Sequence, residues 1–407
     1  MSGALSHIKV LDLSRILAGP MATQNLADLG ATVIKVERPK VGDDTRRWGP
    51  PFLKDADGNA TFDSSYYLSA NRGKKSITLD FTHPTGQDII RRLAAQVDIL
   101  VENYMVGNLA KYGLAYDDLK DANPRLIYCS ITGFGQNGPY AHLPGYDFVF
   151  QGMGGLMSIT GNPEDQPGGE PMKVGIAIAD ILTGMYATTA MLAALEHRRV
   201  TGRGQYIDLA LLDAVVALNS YQALNYFISG RLPQRLGNAH PNMVPYQVFK
   251  CRDGNIILAV GNDGQFQRFA QAVGHGEWAS DSRYATNPDR IRNRESLVEA
   301  ISRVLLTYEM SPLVQLLESV QVACGPINEM DRVFDDPQVR HRGMKISLPH
   351  GCGVMAPNVA SPMRFSDSVV TYRHAAPMLG EHTAEVLMSE LGLSAEEILE
   401  LRNNAVC

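Results

Sequence analysis

HIKVLDLSRILAGPMATQNLADLGATVIKVERP, residues 7–39, decides the fold. HIKVLDLS is the short apolar run of a strand, RILAGPMA reads as a loop, TQNLADLG as a helix closed by Gly30, and ATVIKVERP as a strand stopping before Pro39. Together they make a βαβ unit. The alternation continues with SITLDF as a strand, PTGQDIIRRLAAQ as an amphipathic helix, VDILVEN as a strand, YDDLKDANP as a helix and LIYCSITGFG as a strand. Such repetition predicts an α/β chain with a Rossmann-like, doubly wound sheet.

Further along, the character changes. A helix is expected from Asp180 to about Arg199; after the turn TGRG, YIDLALLDAVVALNSYQALNYFISG passes from strand to helix. YQVFKC, RDGN and IILAVG then form an antiparallel hairpin with a DG turn. Mostly helical sequence runs to about Cys324, GPINEMDRVFDDPQVRHRGM reads as loop and helix, and a short β region leads to the C-terminal helix SAEEILELRNN. These shifts divide the chain into 1–225, the N-terminal part of a large α/β domain; 226–325, a smaller α+β domain; and 326–407, a return to the large domain.

A length of 407 residues, with 45% hydrophobic and 20% charged residues, suits a globular chain of two domains. The net charge of −6 supplies no general field for nucleic acid or an anionic membrane, so an anionic ligand needs local cations. Cys129, Cys251, Cys324, Cys352 and Cys407 are scattered, without CxxC or a neighbouring His pair, which argues against a zinc site or a disulfide framework; no metal is expected. MSGALSHIKVLDLS has no basic leader. The apolar stretch Ile176–Leu195 is interrupted by Asp180 and threonines, short of the ~18 uninterrupted residues of a membrane span. A cytoplasmic enzyme or binding protein is the expectation.

Asp180 is the candidate nucleophile, a lone carboxylate between the apolar run Val174–Ala179 and a small-residue helix pattern. The preceding stretch, GYDFVFQGMGGLMSITG (Gly145–Gly161), is dense in glycine and aromatic residues, which suits backbone lying close to a ligand. A helix N-cap is the plain alternative. The two roles are compatible, because first-turn amides also stabilise an anion formed beside them. Glu37 stands where a ribose-binding acid would, yet SRILAGPMA lacks GxGxxG and Arg38 suits a phosphate better, so the fingerprint of a nicotinamide site is missing. Arg46 and Arg47 in DDTRRWGPP, and Arg72, Lys74 and Lys75 in ANRGKKS, are either solvated loop charges or an anion site. Arg72, between Asn71 and Gly73, suits a bidentate grip on a carboxylate. ITGFGQNGP and GNDGQF are glycine clusters that mark either simple turns or two loops closing over one cleft.

VLDLSRILAGP, LGATVIKVERP, GDDTR, NRGKKS, VENY, SITGFGQNGPY and the region from GLMSITG to AIADILTG follow one another in a single order. On these strings the chain resembles the class III CoA-transferases, the CaiB/BaiF-type family of the formyl-CoA and carnitine CoA-transferases, over essentially its whole length. WGPPF, YYLSANRGKKS, GNAHPNMVPYQVFK and GPINEM look nearest to the succinate-hydroxymethylglutarate (glutarate) branch. The resemblance implies that Asp180 forms a mixed anhydride and then an aspartyl-CoA thioester, covalent catalysis that requires water to be kept out. It implies that Gly261, Asn262, Asp263, Gly264 and Gln265 form a mobile active-site loop. Ile16 and Arg38 would line the nucleotide end of CoA, Asn103 and Lys111 its phosphates, and Thr132, Gly133, Phe134 and Gly135 its pantetheine. The family often carries Lys in place of Thr132 and Gln in place of Leu17, and the apolar Leu17 suggests an acid other than oxalate or formate.

By the same resemblance CoA is a substrate rather than a tightly bound cofactor, succinyl-CoA the donor and glutarate, or a related short dicarboxylate, the acceptor. Arg72, or Arg46 or Arg47, would hold the distal carboxylate, with Tyr146 beside the substrate. The family's interlocked homodimer is expected, with no nucleic acid or membrane partner. Two alternatives stand beside this. Racemases of α-methylacyl-CoA thioesters are similar but carry a proton-transfer His in a G-H-D-x-N-Y pattern; the string here is Gly145-Tyr146-Asp147, and a tyrosine is a poor proton acceptor near pH 7. The other is a non-catalytic CoA-binding protein in which Asp180 is only a cap.

Overall fold

The computed structural model describes residues 3–407. They form two compact units: one from the N-terminal residues to Leu156 with Val174–Ala223 and Gln338–Cys407, the other from Met157–Lys173 with Leu224–Pro337. In the first unit β1 (Lys9–Asp12), β2 (Thr32–Glu37), the hairpin strands β3 (Phe52–Lys54) and β4 (Ala60–Ser64), β5 (Lys75–Thr78), β6 (Ile99–Glu102), β7 (Ile127–Thr132) and β8 (Tyr206–Ala210) follow in chain order. Six of these make one parallel sheet in the order β5-β2-β1-β6-β7-β8. The chain steps outward from β1 through β2 to β5, crosses back to β6 on the other side of β1, and steps outward again. Where the direction reverses, between the carboxyl ends of β1 and β6, an open α/β sheet leaves a crevice.

β7 is buried at every residue and β1 at all but its first, as helices on both faces of a parallel sheet demand. One face packs Val10, Val33, Ile99 and Ile127 against Leu26 of the helix Ala18–Asp28 and Met191 of the helix Ile178–Thr201. The other packs Leu11, Ile34 and Leu100 against Ile90 and Leu93 of the helix Pro84–Ala94 and Leu387 and Ile398 of the C-terminal helices. The first helix starts at Ala18, inside the segment predicted as a loop. Pro20 does not prevent this, because in the first turn its missing N–H has no helical partner to lose.

The helix Ile178–Thr201 has 24 residues and a window of mean hydropathy 1.4, long and apolar enough by composition to cross a membrane. Asp180, Thr183, Thr188 and Thr189 still interrupt its apolar run. The helix lies against Ala18–Asp28, and a Cβ added at Gly184 would stand 2.7 Å from the Ala18 carbonyl oxygen. Glycine permits that close approach. The predicted passage from β8 into a single helix is in fact two, Leu211–Leu218 and Ser220–Ser229, broken where Ser220 takes φ 43°.

In the second unit β9 (Tyr246–Lys250) and β10 (Asn255–Ala259) form the predicted hairpin, and β11 (Ala323–Pro326) pairs antiparallel with β10. Its core includes Phe249, Ile256, Leu258, Phe266, Phe269, Leu297 and Ile301. Met157–Lys173, expected in the large domain, groups here: Gly237 N–H donates to Gly161 O at 3.0 Å and Arg235 Nη2 to Gly169 O at 3.0 Å. The chain then returns to the first unit through the hairpin β12 (Lys345–Pro349) and β13 (Met355–Val359). There Gly73 N–H donates to His374 O at 3.0 Å and Asp80 N–H to Val406 O at 2.8 Å, tying both chain ends together.

Candidate active site

The crevice at the strand reversal is bridged by two hydrogen bonds. Arg15 N–H donates to Asn103 Oδ1 at 2.9 Å and Asn103 Nδ2 to Arg15 O at 2.6 Å. Ile16 follows with φ 72°, a left-handed conformation that a β-branched residue adopts only under constraint. The constraint is Asp43: its two carboxylate oxygens each accept the Ile16 N–H at 3.2 Å, while buried Lys35 donates to it at 2.9 Å. This sharp turn delivers the N-terminus of the helix Ala18–Asp28 to the crevice.

Asp180 lies there, in a cleft of about 190 Å³ that Arg15, Ile16, Asn103, Thr132, Gly133 and Tyr146 also line. It is not an N-cap. Ala177 holds that position without a side-chain bond, and Asp180 is the third residue of its helix. The first-turn amide of Ala179 is satisfied instead by Asp147 Oδ1 at 2.7 Å, and Asp147 Oδ2 accepts Gln151 Nε2 at 2.6 Å. With that amide satisfied elsewhere, the Asp180 carboxylate stands near enough to the backbone N–H of Ala18, the first residue of the neighbouring helix, to be influenced by it.

Burial first, and then the charge of Asp147, raise the Asp180 carboxyl from 3.8 to about 7, against the opposing pull of the Ala18 amide. A raised pKa gives a carboxylate more basic, and so more nucleophilic, than a solvated one. Tyr66 senses the same pair: burial, then Asp180 and Asp147, push its phenol up to about 12, so it stays a hydrogen-bond donor at neutral pH. Its ring meets Trp48 edge-on with centroids 5.1 Å apart.

If the ionised form of Asp180 is the one that reacts, kcat/KM should climb with rising pH about a midpoint near 7. Asp147→Asn keeps an oxygen for the Ala179 amide but removes the charge, so its climb should begin at lower pH. A pH–kcat/KM profile of the two proteins checks this; superimposable acid limbs would exclude Asp147 as the cause.

A second cleft, of about 170 Å³, adjoins the first and is lined by Arg38, Asp43, Asn108, Tyr112 and the segment Leu79–Thr82; Arg15 and Tyr104 line both. Of the residues singled out from sequence, Ile16, Asn103, Thr132, Gly133, Tyr146 and Asp180 are thus brought together, with Arg38 next door. Lys111 is exposed on a short turn, 3.5 Å from Asn108 Oδ1. Phe134 packs edge-on against Phe150 and Tyr140, and Gly135 N–H donates to Thr132 Oγ1 at 2.9 Å. In the second unit Gly261–Gln265 enters a helix capped by Asn262, whose side chain accepts Gln265 N–H at 2.9 Å; Asp263 pairs with Arg290 at 2.7 Å.

The basic residues are sorted differently from expectation. Arg46 is wholly buried: it grips Glu37 through two nitrogens at 2.7 and 2.8 Å, pairs with Asp63, and donates to Tyr67 Oη at 2.6 Å and Pro377 O at 3.1 Å. Arg72 is buried against Asp28, Asn358 and the Val359 carbonyl, at 2.6 to 2.9 Å. Their guanidinium donors are engaged inside the fold, which corrects the expectation that either waits for a substrate carboxylate. Glu37 is likewise a structural anion. Lys74 pairs with Asp12 at 3.0 Å out of solvent, and Lys75 with Glu385 at 2.7 Å. Arg47 alone of the three arginines is exposed, over the Phe62 ring at 5.2 Å and adjacent to Trp48.

Arg15, Tyr66, Asp147 and Leu79–Thr82 were not foreseen. A signal existed for Arg15, the first cation after β1, and for Asp147, the acid of the Gly145-Tyr146-Asp147 string. For Tyr66 and Leu79–Thr82 the sequence offers only proximity in three dimensions.

A parallel sheet whose reversal point holds a buried carboxylate near a helix N-terminus places the chain among the mixed α/β proteins of the doubly wound kind. A family profile described as CoA-transferase family III matches residues 5–383, and the chain belongs to that family and is a CoA-transferase. It is 50% identical over 383 residues to a succinate–glutarate CoA-transferase of Agrobacterium fabrum, covering 94% of each chain. It is 43% identical over 403 residues to a human succinyl-CoA:glutarate CoA-transferase, covering 99% of this chain and 89% of that one. Among solved structures, a CaiB/BaiF family protein from Brucella suis superposes with TM-score 0.83 at 47% identity, covering 96% of this chain and all of that one.

Proposed function

We propose that the protein moves CoA from succinyl-CoA to glutarate or a related short dicarboxylate through Asp180. The Asp180 carboxylate at the N-terminus of the helix Ala18–Asp28 is the observation that carries the mechanism. The substrates rest on the two relatives named above.

The sequence of steps conserves acyl groups and charge. An Asp180 oxygen attacks the thioester carbonyl of the donor; the C–S bond breaks and CoA leaves as thiolate, giving a mixed anhydride. The thiolate attacks the aspartyl carbonyl of that anhydride, releasing the donor as a carboxylate and leaving an aspartyl-CoA thioester. The acceptor carboxylate attacks the aspartyl-CoA thioester, making a second anhydride and freeing thiolate. Attack of thiolate on the acceptor's acyl carbon then restores Asp180. Each addition places negative charge on a carbonyl oxygen beside the Ala18 N–H, where a helix N-terminus stabilises it.

The adjoining clefts suit a long substrate. Arg38 in the second cleft offers a cation to the phosphates and Arg15 stands between the two, while pantetheine follows Asn103 and Thr132 toward Asp180. For the distal carboxylate of the acceptor, exposed Arg47 is the candidate that remains, linked to the carboxylate pair through Trp48 and Tyr66. The helix Ser220–Ser229 exposes Leu224, Phe227 and Ile228, with Ile228 at 86%, an apolar face that a homodimer would cover. A monomer mass by light scattering would remove the dimer.

The test is incubation with succinyl-CoA and a panel of acids, with mass analysis of the Asp180 peptide. Glutaryl-CoA and a CoA adduct on that peptide are expected. Transfer to monocarboxylates in preference to every short dicarboxylate would overturn the acceptor; no adduct during active transfer would overturn the mechanism.

A further inference from the structure

The turn joining β12 to β13 carries His350, Gly351, Cys352 and Gly353. Cys352 is partly exposed and its Sγ lies 3.0 Å from Nδ1 of His350, whose side chain is completely buried. The backbone N–H of Cys352 donates to the same Nδ1 at 3.2 Å. An amide N–H only donates, so Nδ1 bears the lone pair and the ring proton sits on Nε2. That Nε2 stands 3.4 Å from Asp63 Oδ2, at ion-pair distance but not aligned as a hydrogen bond, and it has no hydrogen-bond partner among the described residues. Asp63 is fixed in turn by Arg46. Around the turn, Glu381 and Met378 approach Gly351.

Thiol, imidazole and carboxylate therefore stand in series, the order in which a nucleophile is served by a base and the base by an orienting acid. None of the three lines either cleft described above. The other cysteines differ. Cys129 and Cys251 are buried. Cys324, partly exposed, faces the Val314 carbonyl at 3.7 Å; Cys407, also partly exposed, sits by Arg402, and burial pushes both thiols up.

We propose that Cys352 is a modification site that exchanges with low-molecular-weight disulfides, with His350 as its base and Asp63 as a positioning residue. The Cys352 proton passes to Nδ1 and Sγ attacks one sulfur of the disulfide. The S–S bond breaks, and the departing sulfur leaves as a thiolate that takes up the proton. One disulfide is consumed and one mixed disulfide forms, so there is no net redox change, and a second thiol reverses the step.

The full-length protein is incubated with oxidised glutathione, quenched with acid and mapped by mass spectrometry. Cys352 should form the mixed disulfide at least about tenfold faster than Cys324 and Cys407 in the same molecules. His350→Asn, whose side-chain oxygen can still accept the Cys352 amide but takes no proton, should slow Cys352 by about tenfold or more while leaving the other two rates unchanged. Equal labelling of Cys352, Cys324 and Cys407 in the unaltered protein would overturn the proposal, whatever becomes of the variant. So would an undiminished Cys352 rate in a folded His350→Asn protein.

Discussion

Asp180→Ala should be a folded protein with CoA transfer reduced by about 10⁴-fold or more, the scale on which loss of a covalent nucleophile reads out. Succinyl-CoA should still bind, since the residues of the two clefts remain. Asp180→Asn separates catalysis from structure, because its amide oxygen can accept the Ala18 N–H but forms no anhydride. Linkage sets the sign of its stability. The carboxyl is raised from 3.8 to about 7 in the folded chain, so well below pH 3.8 it is protonated in both states and the parent and Asp180→Asn should melt together. As pH rises through the interval from 3.8 to about 7, the unfolded chain ionises first and the parent loses stability. Above neutrality Asp180→Asn should be the more stable protein, by on the order of 1 to 3 kcal/mol given that the group sits at a cleft rather than in the core. Initial rates together with thermal melts at acid and alkaline pH check both halves. Transfer at near-parent rate would refute the anhydride; equal melting above neutrality would show that no ionisation is being suppressed.

The βαβ opening was legible because a parallel sheet covered on both faces needs strands rich in apolar residues, and VL of β1, VI and V about Lys35 of β2, and ILV of β6 supply them. The hairpin β9–β10 was legible from its DG turn, but the antiparallel strands β3, β4 and β11 were not. β3 and β4 carry exposed and polar residues, and β11 is four residues, ACGP, whose only mark is its pairing with β10. Asp180 stood out because one acid in an apolar run has few structural uses. The capping reading failed for a reason the sequence does not display, that Asp147, 32 residues earlier, satisfies the Ala179 amide. The arginines show the same limit. Arg72 meets Asp28 44 residues away and Asn358 286 residues away, and nothing local to NRGKKS announces either partner.

Arg46→Met should destabilise the fold by about 3 to 5 kcal/mol, the scale for removing one partner of a buried ion pair. Arg46 is fully buried, and its loss leaves Glu37 without its two short charged bonds and Asp63 without its guanidinium. It also removes the cation stacked over the Tyr67 ring at 3.8 Å. Burial alone would raise the Glu37 carboxyl; the guanidinium of Arg46, with Lys35 and Ser76, holds it below its ordinary 4.5. A depressed carboxylate contributes stability above its unfolded pKa and loses it as pH falls through the folded value. The gap between parent and Arg46→Met should therefore be widest near neutrality and narrow below about pH 4.5. Arg47→Ala supplies the contrast. Exposed Arg47 should cost almost nothing in melting temperature, yet lower kcat/KM for a dicarboxylate acceptor by about 10 to 100-fold, the value of a lost charged hydrogen bond, and spare a monocarboxylate. Melting curves across acid pH, set beside acceptor kinetics, separate the two residues. A stable Arg46→Met protein with raised KM for the dicarboxylate alone would return Arg46 to the substrate, and an Arg47→Ala protein indifferent to the second carboxylate would leave its recognition to Arg15.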